Sequence, residues 1–160
     1  MPAEHIIDFD AIDLSEVIAT RDDLAVFLKQ RGRFAMLDGI LYENVEEQVI
    51  VGFKEIRSDD WWTEDHIPGR PLFPGALMCE TAAQLGTYDY MKHRGQVEDG
   101  SFVGFGGLDR VRFRGIVEPE CRMIFAVRLT RARRSMFVYK TQGFVDRRLV
   151  FEAEVIGVVV

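Results

Sequence analysis

The sequence predicts an α+β domain, a mostly antiparallel sheet curled around one buried helix. Three features carry that prediction. Residues 75–92 are helix-length and apolar on nearly every side, as a helix enclosed by a sheet must be. Four β-like stretches follow, parted by short turns, and two more precede it. At 160 residues the chain has the length of one domain. A chain of this size buries about 70% of the surface it exposes when unfolded.

The first ten or so residues have no clear period and are expected to be loose, so residues 1–19 read as an extension ahead of a single domain over 20–160. TRDDLAVFLKQ, Thr20 to Gln30, reads as a helix with Thr20 as N-cap, Asp22 and Asp23 in its first turn and Gly32 as its stop. RFAMLDGILYEN and EQVIVGFKEI then read as two strands joined by an acidic turn near Glu43 to Glu47. Residues 57–75 hold Trp61, Trp62, His66 and three prolines, a composition that excludes a regular element. In the long helix, proline at 74 falls in the first turn and Gly95 lies past the end. Its one polar stripe is Glu80, Gln84 and Thr87. The last four stretches start at Phe102, Cys121, Ser135 and Arg148. Alternation puts Cys121, Met123, Phe125, Val127 and Leu129 on one face, and Leu149, Phe151, Ala153 and Val155 on another.

Composition excludes several classes of function. No apolar run approaches the length of a membrane-spanning helix, and the acidic N-terminus does not resemble a secretory signal. Two cysteines, Cys79 and Cys121, make no disulfide framework, so a cytoplasmic protein is expected. His5, His66 and His93 are too dispersed for a metal site, and no phosphate loop or dinucleotide fingerprint occurs, so no cofactor is expected. Charge is uneven: residues 1–100 hold nine basic against twenty acidic side chains, residues 101–160 eleven against six. The arginines of DRVRFRG and LTRARRS fit either a solvated strand edge or a site for an acidic partner. The acidic first half and the lack of a motif argue against nucleic acid.

The chemistry concentrates in DHIPGRPLFPGALMCETAAQ, Asp65 to Gln84. Pro68-Gly69 and Pro74-Gly75 make two stiff turns, the second leading into the helix, where Gly75 can offer a bare amide to a ligand oxygen. A carboxylate at Glu80 on a buried helix is costly unless paired. A histidine, a glutamate and a helix-end amide together suit proton transfer beside a carbonyl. Taken singly, His66 fits a packing role in its loop, Glu80 and Gln84 a solvated stripe, and the turns a device for aiming the helix.

The stretch from His66 to Gln84, H-I-P-G-R-P-L-F-P-G-A-L-M-C-E-T-A-A-Q, resembles the β-hydroxyacyl-ACP dehydratases, the FabZ/FabA group of the hotdog fold. Their pattern is approximately H-F-P-G-x-P-x-x-P-G-x-L-x-x-E-A-x-A-Q. A second block, G-L-D-R-V-R-F-R-G-I-V-E-P from Gly107, is similar to the family's G-I-D-K-A-R-F-K-R-P-V-V-P. The sequence departs from the family at Asp65, Ile67 and Thr81, at QRGRF (Gln30 to Phe34) in place of an H-R-Y-P start, and at Gly115-Ile116. The resemblance implies a hotdog fold and the elimination of water from a (3R)-3-hydroxyacyl thioester to give the trans-2-enoyl product. It implies His66 as the base at the α-carbon, Glu80 as the acid at the 3-hydroxyl, Gly75 N–H on the thioester oxygen, and Gln84 steadying Glu80. Glutamate at 80 points to the FabZ branch, which does not isomerise. The family also implies at least a homodimer, possible hexamers, sites shared between two subunits, and an acyl carrier protein as partner. Arg110, Arg112, Arg114, Arg131, Arg133 and Arg134 are the expected docking patch for that acidic carrier. A hotdog thioesterase and a catalytically silent acyl-binding subunit are the alternatives.

Overall fold

The computed structural model describes residues 4–95, 98 and 100–160. Its elements, in chain order, are β1 (Ala19–Thr20), α1 (Arg21–Ala25), a 3₁₀ turn (Gly32–Phe34), β2 (Gly39–Asn44), β3 (Val49–Ile56), α2 (Trp62–Asp65), α3 (Gly75–Asp89), a π-helical turn (Tyr90–Arg94), β4 (Val103–Phe113), β5 (Cys121–Arg133), β6 (Met136–Val145) and β7 (Arg148–Val159). The seven strands form one antiparallel sheet in the order β1-β2-β3-β5-β6-β7-β4, with α3 against its inner face.

The inner core follows from alternation. Met123, Phe125, Val127 and Leu129 of β5, with Phe151, Ala153 and Val155 of β7, pack on Met78, Ala82, Leu85 and Tyr88 of α3. Small residues let the helix lie close: a Cβ on Gly52 would stand 3.1 Å from Leu85, and one on Gly86 would stand 3.1 Å from the Tyr139 ring. At the far end of α3, buried Asp89 accepts hydrogen bonds from the Tyr139 hydroxyl and from Arg94 Nε. Burial and the neighbouring Asp89 carboxylate push the Tyr139 hydroxyl's pKa far above the usual range.

Five expectations are corrected. Of the first residues expected to be loose, Met1 to Ala3 lie outside the described residues, whereas Ile6 and Ile7 are buried on the outer face of the sheet with Val49, Val51, Ala126 and Phe144. Gln142 clips them there, its Oε1 accepting from Ile6 N and its Nε2 donating to Glu4 O. The helix from Thr20 has its capping box with Asp23 but ends at Ala25, because the Arg31 guanidinium folds back onto the carbonyls of Ala25, Leu28 and Gln30. Gly32 opens the 3₁₀ turn with φ of +60°, a conformation glycine adopts without strain. Trp62–Asp65 forms one helical turn inside the supposedly irregular stretch, anchored by Trp62 against Phe73 at 5.2 Å between rings. Pro74 is the N-cap of α3 rather than part of its first turn, and α3 gives way after Asp89 to the π turn. Leu149 faces the outer cluster and Val150 the inner one, because a bulge opposite Gly143/Phe144 inserts Val150 and resets the alternation.

Candidate active site

Glu80 and Gln84 lie one turn apart on α3, and Gln84 is the better defined of the two. Its side chain is buried and fully used: Oε1 accepts from Met36 N at 3.0 Å, while Nε2 donates to Phe34 O at 2.7 Å and to Glu80 Oε1 at 2.8 Å. Those backbone partners explain why the predicted strand from Arg33 starts only at Gly39: a helix side chain takes the hydrogen bonds a neighbouring strand would have supplied. Glu80 is half-buried, held at one oxygen by Gln84, and faces a hollow of about 210 Å³. Gln30, Ala83, Thr87, Val103 to Phe105 and Val155 to Gly157 complete that hollow.

His66 caps the single turn α2 and is exposed, with Nδ1 2.9 Å from Leu72 O. A carbonyl oxygen only accepts, so Nδ1 carries the proton in that contact and the neutral ring presents the Nε2 lone pair to a substrate. Gly75 is the first residue of α3. The N–H groups of Leu77 and Met78 return to Pro74 O, whereas Gly75 and Ala76 lie ahead of the helical bonds and are free for a ligand oxygen. The Phe113 ring of β4 lies over Gly75, and a Cβ there would come within 2.7 Å of it.

Within one chain these groups are not brought to one cavity. The hollow at Glu80 does not include His66. The side of the hollow away from the core is β4, the last strand of the sheet, which carries Phe105, Leu108 and Phe113 at 40–54% exposure. The arginines divide as well. Arg110 and Arg114 pair with Glu154 and Glu152, and Arg112 donates to Val111 O. Arg131, Arg133 and Arg134 stand at the tip of the β5–β6 hairpin beside Val158 and Val159. At the strand rise, the stretch of β7 from Glu154 to Val158 spans roughly 14 Å. The arginines expected to form one patch thus sit at different points along β7, Arg110 and Arg114 near Glu154 and Glu152 and the hairpin arginines near Val158. Sequence reading also missed Leu72 O as the partner of His66, Phe113 over Gly75, and the 34–36 backbone as the anchor of Gln84. The His66–Leu72 contact is local, six residues apart, but no local pattern announces the other two.

Among the described residues no group of three or more His, Cys, Asp or Glu side chains is placed to hold a metal ion, and no helix is long and apolar enough to cross a membrane.

A seven-stranded antiparallel sheet around one central helix is the hotdog architecture. Solved structures share it: the dehydratase heterocomplex ApeI:P from Xenorhabdus doucetiae superposes with a TM-score of 0.69 at 11% identity, over 84% of this chain and 89% of that one. A putative thioesterase from Silicibacter sp. TM1040 does so at 0.64 and 14% identity, over 92% and 96%. At these identities the likeness shows the fold alone. Sequence goes further. Residues 28–154 match the FabA-like domain. The 3-hydroxyacyl-[acyl-carrier-protein] dehydratase FabZ of Desulfotalea psychrophila is 33% identical over 130 residues, 81% of this chain and 86% of that protein. Its namesake from Campylobacter jejuni is 34% identical over 136 residues, 83% and 92%. The chain belongs to the FabA-like dehydratase family.

Proposed function

We propose that this protein is a (3R)-3-hydroxyacyl-ACP dehydratase of the FabZ type, a hydro-lyase acting on carrier-bound thioesters. The observation that carries the reading is how each group is held: the His66 ring at Nδ1 by Leu72 O with Nε2 left for a substrate, and the Glu80 carboxyl steadied by Gln84 at a hollow of about 210 Å³. His66 Nε2 removes the proton at C2, and the C2–H electron pair forms the new C2–C3 double bond. The C3–O bond breaks, and Glu80 donates its proton so that the hydroxyl leaves as water. The catalytic pair is reset when the proton on His66 returns to Glu80 through solvent. The Gly75 N–H stabilises the enolate-like oxygen at C1, where charge develops in the transition state.

The site is completed by a second copy of the chain. β4 is an eleven-residue edge strand with exposed phenylalanines, the kind of edge a soluble protein covers. Pairing there brings one copy's His66 toward the other's Glu80. The acidic carrier meets Arg131, Arg133 and Arg134, which are exposed, have no acidic partner among the described residues, and flank the Gly157 side of the hollow. A cytoplasmic setting fits the two free thiols.

The test is turnover of a 3-hydroxyacyl-ACP with enoyl product and free thiol followed together, for the wild type, His66→Ala and Glu80→Gln. Enoyl formation that falls at least a hundredfold in both variants is expected. Mixing the two inactive variants should restore activity, because a mixed dimer holds one intact site. Thiol release without enoyl makes the protein a thioesterase, and neither product makes it a silent acyl-binding subunit.

A further inference from the structure

Residues 57–73, the lobe that carries His66, are hydrogen-bonded at both ends to the short segment 117–120 that leads into β5. At one end Phe73 N donates to Val117 O at 2.8 Å. At the other, the Ser58 N–H and hydroxyl both donate to one oxygen of Glu120, Oε1, at 2.7 and 2.6 Å. The pairing of β3 with β5 stops at Ile56 opposite Cys121, so the Glu120 carboxylate continues it into the lobe with a side chain. From Ser58 the contacts run on to His66. Ser58 O accepts from the Thr63 hydroxyl at 3.2 Å, Thr63 stands in α2, and His66 N closes α2 by donating to Trp62 O at 2.9 Å. The ring is fixed from the other end, since Leu72 O, its partner at Nδ1, belongs to the residue before Phe73. Backbone and ring of His66 are thus mounted on one segment, to which Val117 contributes a carbonyl and Glu120 a side chain. The two bonds from Ser58 hold the Glu120 carboxyl below the usual carboxylate range, so it is an ionised, strong acceptor at neutral pH.

We propose that Glu120 is a positioning residue for the proton transfer at C2, setting where His66 stands without touching the substrate. The proposal rests on the dehydratase reading for the role of His66 and on the Ser58–Glu120 contacts for the mount. Glu80 is anchored separately, through Gln84 to the backbone of residues 34–36. Loss of the Glu120 tie therefore displaces the base and leaves the acid in place. A misplacement of about 1 Å between reacting groups costs up to about a hundredfold in rate, so a loosened mount acts on kcat.

The test measures turnover of a 3-hydroxyacyl-ACP by the full chain carrying Glu120→Ala, Glu120→Gln or Ser58→Ala. Glu120→Ala should lower kcat about tenfold with KM within about twofold of the wild type. Glu120→Gln keeps an amide oxygen for both Ser58 donors and should recover most of the rate. Ser58→Ala keeps the N–H bond alone and should fall between the two. Ser58 and Glu120 are both exposed, so the melting temperature should move by less than about 2 °C. An unchanged kcat overturns the proposal, as does a loss expressed in KM or one that Glu120→Gln does not recover. A melting temperature that falls together with kcat makes Glu120 a structural residue and overturns it too. Hydrogen exchange read by mass spectrometry answers without turnover: in Glu120→Ala the amides of residues 58–66 should exchange severalfold faster, while those of α3 keep their rate. Unchanged exchange in 58–66 overturns the proposal. Faster exchange there, in a protein whose wild type forms no enoyl product, upholds the mount and overturns the dehydratase reading instead.

Discussion

Gln84→Leu is the substitution whose consequences the structure specifies most closely. Leucine fills nearly the same space but removes three hydrogen bonds at once. The Met36 N–H is left without a partner on a residue only 1% exposed, which costs about 1–3 kcal/mol. Phe34 is 57% exposed, so its carbonyl can turn to water at little cost. Glu80 loses its one fixed contact. A total near 2–4 kcal/mol is expected, and for a domain of this size each kcal/mol lowers Tm by about 2–4 °C, giving a fall of about 5–15 °C. Differential scanning calorimetry reads this directly. Gln84→Glu separates geometry from polarity: it keeps the acceptor for Met36 N but sets two carboxyl oxygens across the 2.8 Å now spanned by a hydrogen bond. They repel unless a proton lies between them, so this variant should be near the wild type at pH 5 and markedly less stable at pH 8. Enoyl formation should fall in both variants through kcat, since Glu80 is no longer held. A Gln84→Leu protein melting within about 2 °C of the wild type would refute the reasoning, because Gln84 would then not be tying the 34–36 backbone to α3.

Other consequences are simpler to state. Tyr139 holds its proton more tightly when folded than unfolded, so its contribution is complete below the ordinary tyrosine range near pH 10 and is lost as the pH rises above it. Tyr139→Phe should cost about 1–3 kcal/mol at neutral pH and flatten the alkaline fall in stability measured by urea titration. Charge reversal at Arg131, Arg133 and Arg134 should raise KM for the carrier-bound substrate severalfold more than for a pantetheine thioester. The same change at Arg110 and Arg114 should act mainly on stability, by breaking their pairs with Glu154 and Glu152; equal KM effects from both groups would contradict the division. Ile6→Ala and Ile7→Ala should each cost about 2 kcal/mol in chemical denaturation, which a loose N-terminal tail would not show.

What could be read from the sequence was what repeats locally. The 75–92 segment is apolar on three sides, and α3 proves buried at ten of its fifteen positions. The alternation of β5 is kept from Met123 to Leu129 because nothing interrupts its pairing there. Expectations fail where a distant group replaces a local one. Arg31 ends α1 by taking the carbonyls that another helical turn would have used, and Gln84 delays β2 by taking a strand's hydrogen bonds. Ile6 and Ile7 are held by Gln142 and by Phe144, far along the chain, so no window around them shows a period. Val150 slips phase because it is an extra residue in β7 opposite Gly143 and Phe144 of β6, a mismatch visible only when the two strands are paired.

The site divides along the same line. His66, Gly75, Glu80 and Gln84 lie within eighteen residues from end to end, and their spacing is visible because one loop and one helix carry them all. Yet proximity in sequence does not make one cavity. The chain from His66 to Gly75 turns back on itself at Gly69, where Arg70 N donates to Ile67 O, and His66 does not line the hollow that Glu80 shares with β4. On the reading proposed above, a second protomer supplies the half of the site that one protomer lacks. The strand forming that side of the hollow is also the sheet's free apolar edge. On that same reading, covering the edge and completing the catalytic pair are one event. A charge placed on β4, such as Leu108→Asp, should abolish dimers and turnover together, and a monomer that still dehydrates would break that link.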